Sequence, residues 1–398
     1  MTGPAVTGPF ALGAALAERE QVGLLRNRIA TDGASGGRLR VAGREYFNFS
    51  ANDYLGLADH PAIKTAFNAG IERYGTGSGA SPLVTGYSRA HQELEETLAE
   101  WLGVEAVLLF NCGFSANQAV LKALLGKEHL LWQDKLNHAS LQEMGSQLPC
   151  KMKRFAHNDM AALERQLEPN RGLIVSEGVF SMDGDQAPWA ELAALAARSG
   201  NWLMIDDAHG LGVQGPEGRG TLAAQGVPPA SVHIQMGTFG KALGVAGAFV
   251  GGSRELVEYL VNFARHYVYS THMPAAQACA VSKSIELVRA ADESRAHLGQ
   301  LIARFRQGAQ ALGWQLGASN TPIQPLLVGE SSVALQLSER LRERGVWVSA
   351  IRPPTVPVGT ARLRITLSAA HREQDVDRLL DALGVCPAVT TLGEAHYG

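Results

Sequence analysis

Lys241 lies in the run Val232-His-Ile-Gln-Met-Gly-Thr-Phe-Gly-Lys-Ala-Leu-Gly244, downstream of Ile205-Asp-Asp-Ala-His-Gly210. Each segment begins as an apolar run that reads as a strand. One ends in Asp206 and His209, the other in a small-residue turn that presents a single lysine. The small and apolar flanks of that lysine, Thr238-Phe-Gly-Lys-Ala-Leu-Gly244, would desolvate its amine, lower its pKa and favour the nucleophilic form. A carboxylate following four apolar residues is costly unless paired. Asp206 can cap a helix, or it can pair with a protonated pyridine nitrogen. A Schiff-base lysine with an aspartate aimed at a pyridinium is what a pyridoxal 5′-phosphate (PLP) site requires.

Other segments supply groups that such a site needs. In Asn111-Cys-Gly-Phe-Ser-Ala116, Gly113 and Phe114 open a helix whose free N–H groups and dipole suit a phosphate, although an ordinary strand-to-helix loop reads the same way. His138, in the turn Asp134-Lys-Leu-Asn-His-Ala-Ser140, can stack on a cofactor ring. Ser181, in Glu177-Gly-Val-Phe-Ser-Met-Asp-Gly184, can hydrogen-bond the ring or phosphate, and Thr238 can reach the phosphate. Arg352 opens the stiff loop Arg352-Pro-Pro-Thr-Val-Pro357, and a guanidinium fork holds an amino-acid carboxylate in a planar, bidentate way. Each residue alone has an ordinary structural explanation. Their combination points to catalysis.

The elements that position these groups alternate in type. Ala106–Phe110, Leu173–Glu177, Trp202–Asp206 and Ala246–Val250 read as strands, with helices over Ser115–Leu125 and Trp189–Arg198. Repeated strand, helix, strand predicts an α/β fold with a mainly parallel central sheet and ligand groups at the carboxyl ends of its strands. Near Ala280 the pattern changes to long helices and short strands, which predicts a smaller C-terminal α+β domain. Ala11–Ile29 reads as a peripheral helix. The expected division is an N-terminal helical arm over 1–49, a large α/β domain over 50–280 and a small domain over 281–398.

Composition excludes several classes. With 35 basic and 38 acidic residues, a net charge of −3 gives no case for nucleic-acid binding or a membrane surface. No apolar stretch is long enough to span a bilayer. Met1–Phe10 lacks the basic start and apolar core of a secretory signal, so a cytoplasmic protein is expected. Cys112, Cys150, Cys279 and Cys386 stand far apart, which predicts reduced thiols and no metal site.

Taken together, the segments Asn48-Phe-Ser-Ala-Asn-Asp-Tyr-Leu-Gly56, Gly75-Thr-Gly-Ser-Gly79, His138-Ala-Ser140, Glu177–Gly184, Asp206-Asp-Ala-His-Gly210 and Thr238-Phe-Gly-Lys241 resemble the α-oxoamine synthases. These are fold-type I PLP enzymes that join an amino acid to an acyl thioester with loss of CO2. Phe155-Ala-His-Asn-Asp159, Phe263-Ala-Arg-His266, Tyr269-Ser-Thr271, Ala350–Pro357 and Leu25-Arg-Asn-Arg28 are most similar to the biotin-pathway branch that uses L-alanine and a pimeloyl thioester. The resemblance implies that Lys241 anchors PLP, with Gly113, Phe114, His138, Ser181, Asp206, His209 and Thr238 as its contacts. It places Arg352 on the substrate carboxylate, Asn52 and Thr355 on the substrate side, and Arg26 on the acyl substrate. It also implies a homodimer in which Ser270 and Thr271 reach the partner's phosphate. Asn137 departs from the pattern, since similar enzymes often have serine before the stacking histidine. The acyl donor can be bound to coenzyme A or to an acyl carrier protein. Arg304, Arg306, Arg342 and Arg344 could dock an acidic carrier, or simply be solvated helix faces. A sister enzyme such as glycine C-acetyltransferase and a non-catalytic PLP-fold module remain the competing readings.

Overall fold

The computed structural model describes residues 10–33 and 36–386. The expectation that Met1–Phe10 holds no export signal falls, up to Pro9, outside them. The helix expected over Ala11–Ile29 spans Leu12–Gln21 and buries no residue. Gly23, at φ +67°, follows it in the left-handed region that ends helices. Without a packed face, nothing holds a longer helix on the chain.

Strands β1 (Arg38–Val41) and β2 (Arg44–Asn48) form a hairpin. The central sheet then runs through β3 (Ala106–Phe110), β4 (Leu130–Asp134), β5 (Lys151–Phe155), β6 (Gly172–Glu177), β7 (Trp202–Asp206), β8 (Ile234–Thr238) and β9 (Ala248–Gly252). Their spatial order is β3-β9-β8-β7-β6-β4-β5. Neighbours from β8 to β5 are parallel, and β9 alone runs against the rest. Side chains alternate between the faces: Leu131, Val175 and Met204 join one apolar cluster, whereas Trp132, Ile174, Leu203 and Ile205 join another. With both faces covered by helices, the strands read as nearly continuous apolar runs.

Helices Ala275–Arg289 and Asp292–Ala311 lead to β10 (Ile323–Gly329), and helix Ser331–Glu343 to β11 (Val346–Trp347), β12 (Ser349–Ile351) and β13 (Ala361–Thr366). The order β10-β13-β12 forms an antiparallel sheet. Val346–Ile351, apolar enough to read as one strand, is split at Val348. Its first half pairs with β2 and its second with β13, so the N-terminal hairpin is joined to C-terminal structure. Among the described residues no helix is long and apolar enough to cross a membrane.

Candidate active site

The carboxyl ends of β4, β6, β7 and β8 deliver Asp134, Glu177, Asp206 and Thr238 to one edge of the sheet. Lys241 is carried by the loop joining β8 to β9. That loop is closed by hydrogen bonds of 2.9 Å from Phe239 N–H to Gly247 C=O and from Gly244 N–H to Lys241 C=O. Gly244 has φ +68°, and a Cβ there would lie 2.5 Å from the Leu57 and Ala58 backbone. Glycine therefore lets the lysine loop sit on the turn that follows Asn52.

Lys241 Nζ is 2.7 Å from His209 Nε2, and His209 Nδ1 is 2.6 Å from the Tyr54 hydroxyl. Tyr54 donates to Asn52 Oδ1 at 3.1 Å. The same oxygen accepts from both terminal nitrogens of Arg364 at 3.2 Å, and Arg364 Nε donates to Ser181 C=O at 2.6 Å. A donor order that satisfies every group runs from Lys241 through His209 and Tyr54 to Asn52. Burial lowers the Lys241 amine to about 8, against the charges of Asp206 and Glu177, which favour its protonated form. Burial, then Lys241 and Arg364, hold His209 well below its usual value, leaving a neutral imidazole.

Asp206 anchors a second group of side chains. Its carboxylate accepts from Asn117 Nδ2 at 2.8 Å and from Ala208 N–H at 3.1 Å. Asn117 also donates to Ser140 Oγ at 2.9 Å, and that hydroxyl is 2.9 Å from His138 Nδ1. His138 caps the helix Ala139–Gln147 and is thereby tied to Asp206 through two side chains. Its pKa is lowered by burial, with Asp206 acting the other way. Asp207 turns elsewhere, accepting from the Thr221 N–H and hydroxyl at 2.7 and 2.5 Å. Asn137 donates to Val175 C=O at 2.9 Å, within the sheet. Glu177, the register partner of Asp206, is buried, and burial followed by the Asp206 charge raises its pKa well above normal.

The helix Gly113–Leu124 starts at Cys112 without a side-chain cap, so its first N–H groups, including those of Gly113 and Phe114, are open to an anion. The Phe114 and His138 rings meet edge to face at 6.3 Å. Asn111 Nδ2 donates to Thr271 C=O at 2.8 Å, which brings the segment carrying Ser270 and Thr271 beside this helix start. Thr238 Oγ1 donates to Gly247 C=O at 2.8 Å. A half-buried amine, a held carboxylate, an uncapped helix start and the unpartnered buried oxygens Asn117 Oδ1 and Glu177 Oε1 fit PLP in charge and in hydrogen-bonding capacity. Among the described residues no group of three or more His, Cys, Asp or Glu side chains is placed to hold a metal.

The substrate-side residues are spread more widely. A cavity of about 1050 Å³ is lined by His138, Ser181, Arg26 and Thr355. Arg26 donates to Thr355 Oγ1 at 3.1 Å. Arg352 donates to the Gly23 carbonyl, and it is Arg364 that joins the Lys241 line. Arg364 and Asn117 carry no site role in the sequence reading, and Tyr54 enters it only as part of the segment Asn48–Gly56. The available signal for Arg364 was an arginine in an apolar strand; every residue of Ala361–Thr366 is buried. Of the basic residues considered for carrier docking, Arg304 pairs with Asp377 and Glu373, and Arg342 with Glu339. Arg306 donates to Ser319 C=O and to Gln324.

The sequence matches the aminotransferase class I and II family over residues 44–383. Among solved structures, the Sphingomonas wittichii serine palmitoyltransferase is 29% identical at a TM-score of 0.89, with 95% of this chain and 97% of that one covered. An SPT solved with PLP as its internal aldimine is 27% identical at a TM-score of 0.88, covering 94% and 96%. An 8-amino-7-oxononanoate synthase of Aeromonas hydrophila subsp. hydrophila is 88% identical over 396 residues, 100% of each chain. The chain belongs to the class I and II aminotransferases of fold type I and, within them, to the family of the 8-amino-7-oxononanoate synthases.

Proposed function

We propose that this chain catalyses the PLP-dependent decarboxylative condensation of L-alanine with a pimeloyl thioester. The products are 8-amino-7-oxononanoate, CO2 and the free carrier thiol, in a step of biotin biosynthesis. The observation that carries this reading is the amine of Lys241, lowered to about 8 beside a neutral His209, with Asp206 held on the neighbouring strand.

When bound, PLP supplies a carbonyl for amines and a ring that spreads negative charge from the substrate's Cα. The side chains do the rest. Asp206, oriented by Asn117 and the Ala208 N–H, holds a positive ring nitrogen. Gly113 and Phe114 N–H groups and Thr238 would hold the phosphate, His138 would cover the ring, and Ser181 and His209 would be its polar contacts. Lys241 would hold the cofactor through its amine and would serve as the base for the α-proton, a task suited to an amine with a pKa of about 8. Arg352 is assigned to the amino-acid carboxylate by resemblance. Arg364, already beside Asn52 and Ser181, is a second holder. Asn52 and Thr355 line the substrate side, and Arg26 meets the far end of the acyl chain.

The assembly is read as a homodimer in which Ser270 and Thr271 reach the partner's phosphate. The 73% exposure of Val84 and the 70% exposure of Tyr269 support an apolar partner surface. We also read the chain as an arm over 1–49, a large domain over 50–280 and a small one over 281–398, with the β1–β2 hairpin of the arm paired to β11. Product analysis with purified protein, PLP, L-alanine or glycine, and pimeloyl or acetyl thioester tests the reaction. Preference for glycine and acetyl groups would move the chain to a sister activity. Failure to trap cofactor on Lys241 with borohydride would favour a non-catalytic module.

A further inference from the structure

The cavity beyond His138 and Ser181 carries more positive charge than the protein neutralises. Arg26, Lys135, Arg154, His157 and Arg362 line it, against the single carboxylate of Asp183. Two of these cations are already paired. Arg362 meets Asp183 at 2.5 Å, and His157 sits between Asp134 at 3.0 Å and Asp185 at 2.6 Å. Arg26 donates to the neutral hydroxyl of Thr355. Lys135 and Arg154 have no side-chain hydrogen bond or ion pair among the described residues.

The sheet sets where the last two stand. Arg154, on the edge strand β5, is the register partner of Gln133 on β4. The Lys135 N–H, just past the end of β4, donates to the Phe155 carbonyl at 3.1 Å. Both side chains therefore leave neighbouring strand ends and line the same cavity. Arg26 and Thr355 belong to different parts of its lining, the N-terminal segment and the Arg352–Pro357 loop. A pimeloyl thioester on a phosphopantetheine arm is anionic in two places, at its terminal carboxylate and at the phosphate of the arm. With Arg26 on the carboxylate, a pair of unneutralised cations elsewhere matches the second anion in sign. Lysine and arginine also match it in donor type.

We propose that Lys135 and Arg154 form a phosphate subsite that holds the phosphopantetheine end of the acyl thioester. The inference rests on the reaction proposed above. The shared chemistry is the phosphate that ends the pantetheine arm, present both in coenzyme A and on a carrier protein. A cavity lined by charge of one sign also raises the local concentration of such an anion.

The test uses holoenzyme, wild type and Lys135→Gln/Arg154→Gln, with pimeloyl-CoA, a pimeloyl carrier protein and pimeloyl-pantetheine without phosphate. Cofactor content of each protein controls for folding. In the double variant, kcat/KM for the phosphate-bearing thioesters falls about tenfold or more relative to the phosphate-free one, as expected for lost charge-assisted contacts. A fall with both CoA and carrier protein assigns the subsite to the phosphate they share. A fall with CoA alone would put the contact on the nucleotide phosphates and overturn the assignment to the pantetheine phosphate. An unchanged ratio overturns the proposal, and so does a loss that tracks the acyl carboxylate when pimeloyl- and hexanoyl-pantetheine are compared. Calorimetric titration of CoA itself separates the subsite from the reaction. Weaker CoA binding to the variant, with no turnover by wild type, upholds the subsite and overturns only the reaction.

Discussion

Around Lys241 most polar groups find their partners inside the chain, whereas along the cavity Arg26, Lys135 and Arg154 have none of opposite charge among the described residues. The first region is a buried line in which His209, Tyr54, Asn52 and Arg364 hold one another. The second is open and electrostatically unbalanced. A catalytic amine needs a fixed position and a lowered pKa; hydrogen bonds supply the first and burial the second. A substrate subsite needs the reverse, groups left free for a ligand to satisfy. The contrast therefore separates residues whose loss should abolish chemistry from those whose loss should weaken one substrate.

The largest effect is expected at Lys241. Lys241→Ala should lower kcat by about a thousandfold or more, with the protein still folded, because anchor and base are removed together. Activity near wild type would show that Lys241 is neither the anchor nor the base. Next come the two arginines. Arg364→Lys should raise KM for L-alanine by about 10- to 100-fold, the cost of a lost charge-assisted fork, and Arg352→Lys by less. A larger effect at Arg352 would make the loop arginine the main holder and Arg364 the lesser one.

On the cavity side, Arg26→Ala should raise KM about tenfold for the pimeloyl thioester and less for a short acyl thioester. Equal losses with both chains would count against a far-end contact. The rate of PLP incorporation into apoprotein should rise with pH up to about 8, following the neutral fraction of Lys241. Linkage gives a second sign. The folded-state pKa of about 8 lies below the ordinary 10.5, so between them the unfolded chain binds more protons and apoprotein stability rises with pH. Denaturant titrations of Lys241→Met should lack that rise.

The smallest effect concerns His157, which braces the cavity. Burial would lower its pKa, but hydrogen bonds to Asp134 and Asp185 raise it to about 10. Its contribution is complete below the ordinary 6.5 and is lost as pH rises through about 10. His157→Leu should cost about 2 kcal/mol at neutral pH, by leaving two carboxylates without their cation. A variant as stable as wild type in urea would show that the brace carries no load.

Much of this was legible in the chain. The apolar runs Ala106–Phe110 and Trp202–Asp206 are strands with those bounds, because a strand covered on both faces is written in local, continuous hydrophobicity. The N-terminal helix was overextended, since helix-forming composition says nothing about the missing packed face. Val346–Ile351 read as one strand, and its division between two sheets depends on partners about 300 and 15 residues away. Arg364 was passed over for the same reason. Its partners Asn52 and Ser181 are 312 and 183 residues distant in sequence.

What the sequence by itself determined is the chemistry available: one lysine in a desolvating turn, an aspartate and a histidine at a strand end, and the fold type that brings such ends together. These are local properties, set by residue type and periodicity. Only the tertiary structure decided which groups meet. It turned Asp206 toward Asn117 and Asp207 toward Thr221, set Arg364 rather than Arg352 in the Lys241 line, and left Lys135 and Arg154 on the cavity wall with no partner among the described residues. The reason is physical. Pairing and desolvation depend on distances through space, and residues hundreds of positions apart acquire those distances only when the sheet and its loops have packed.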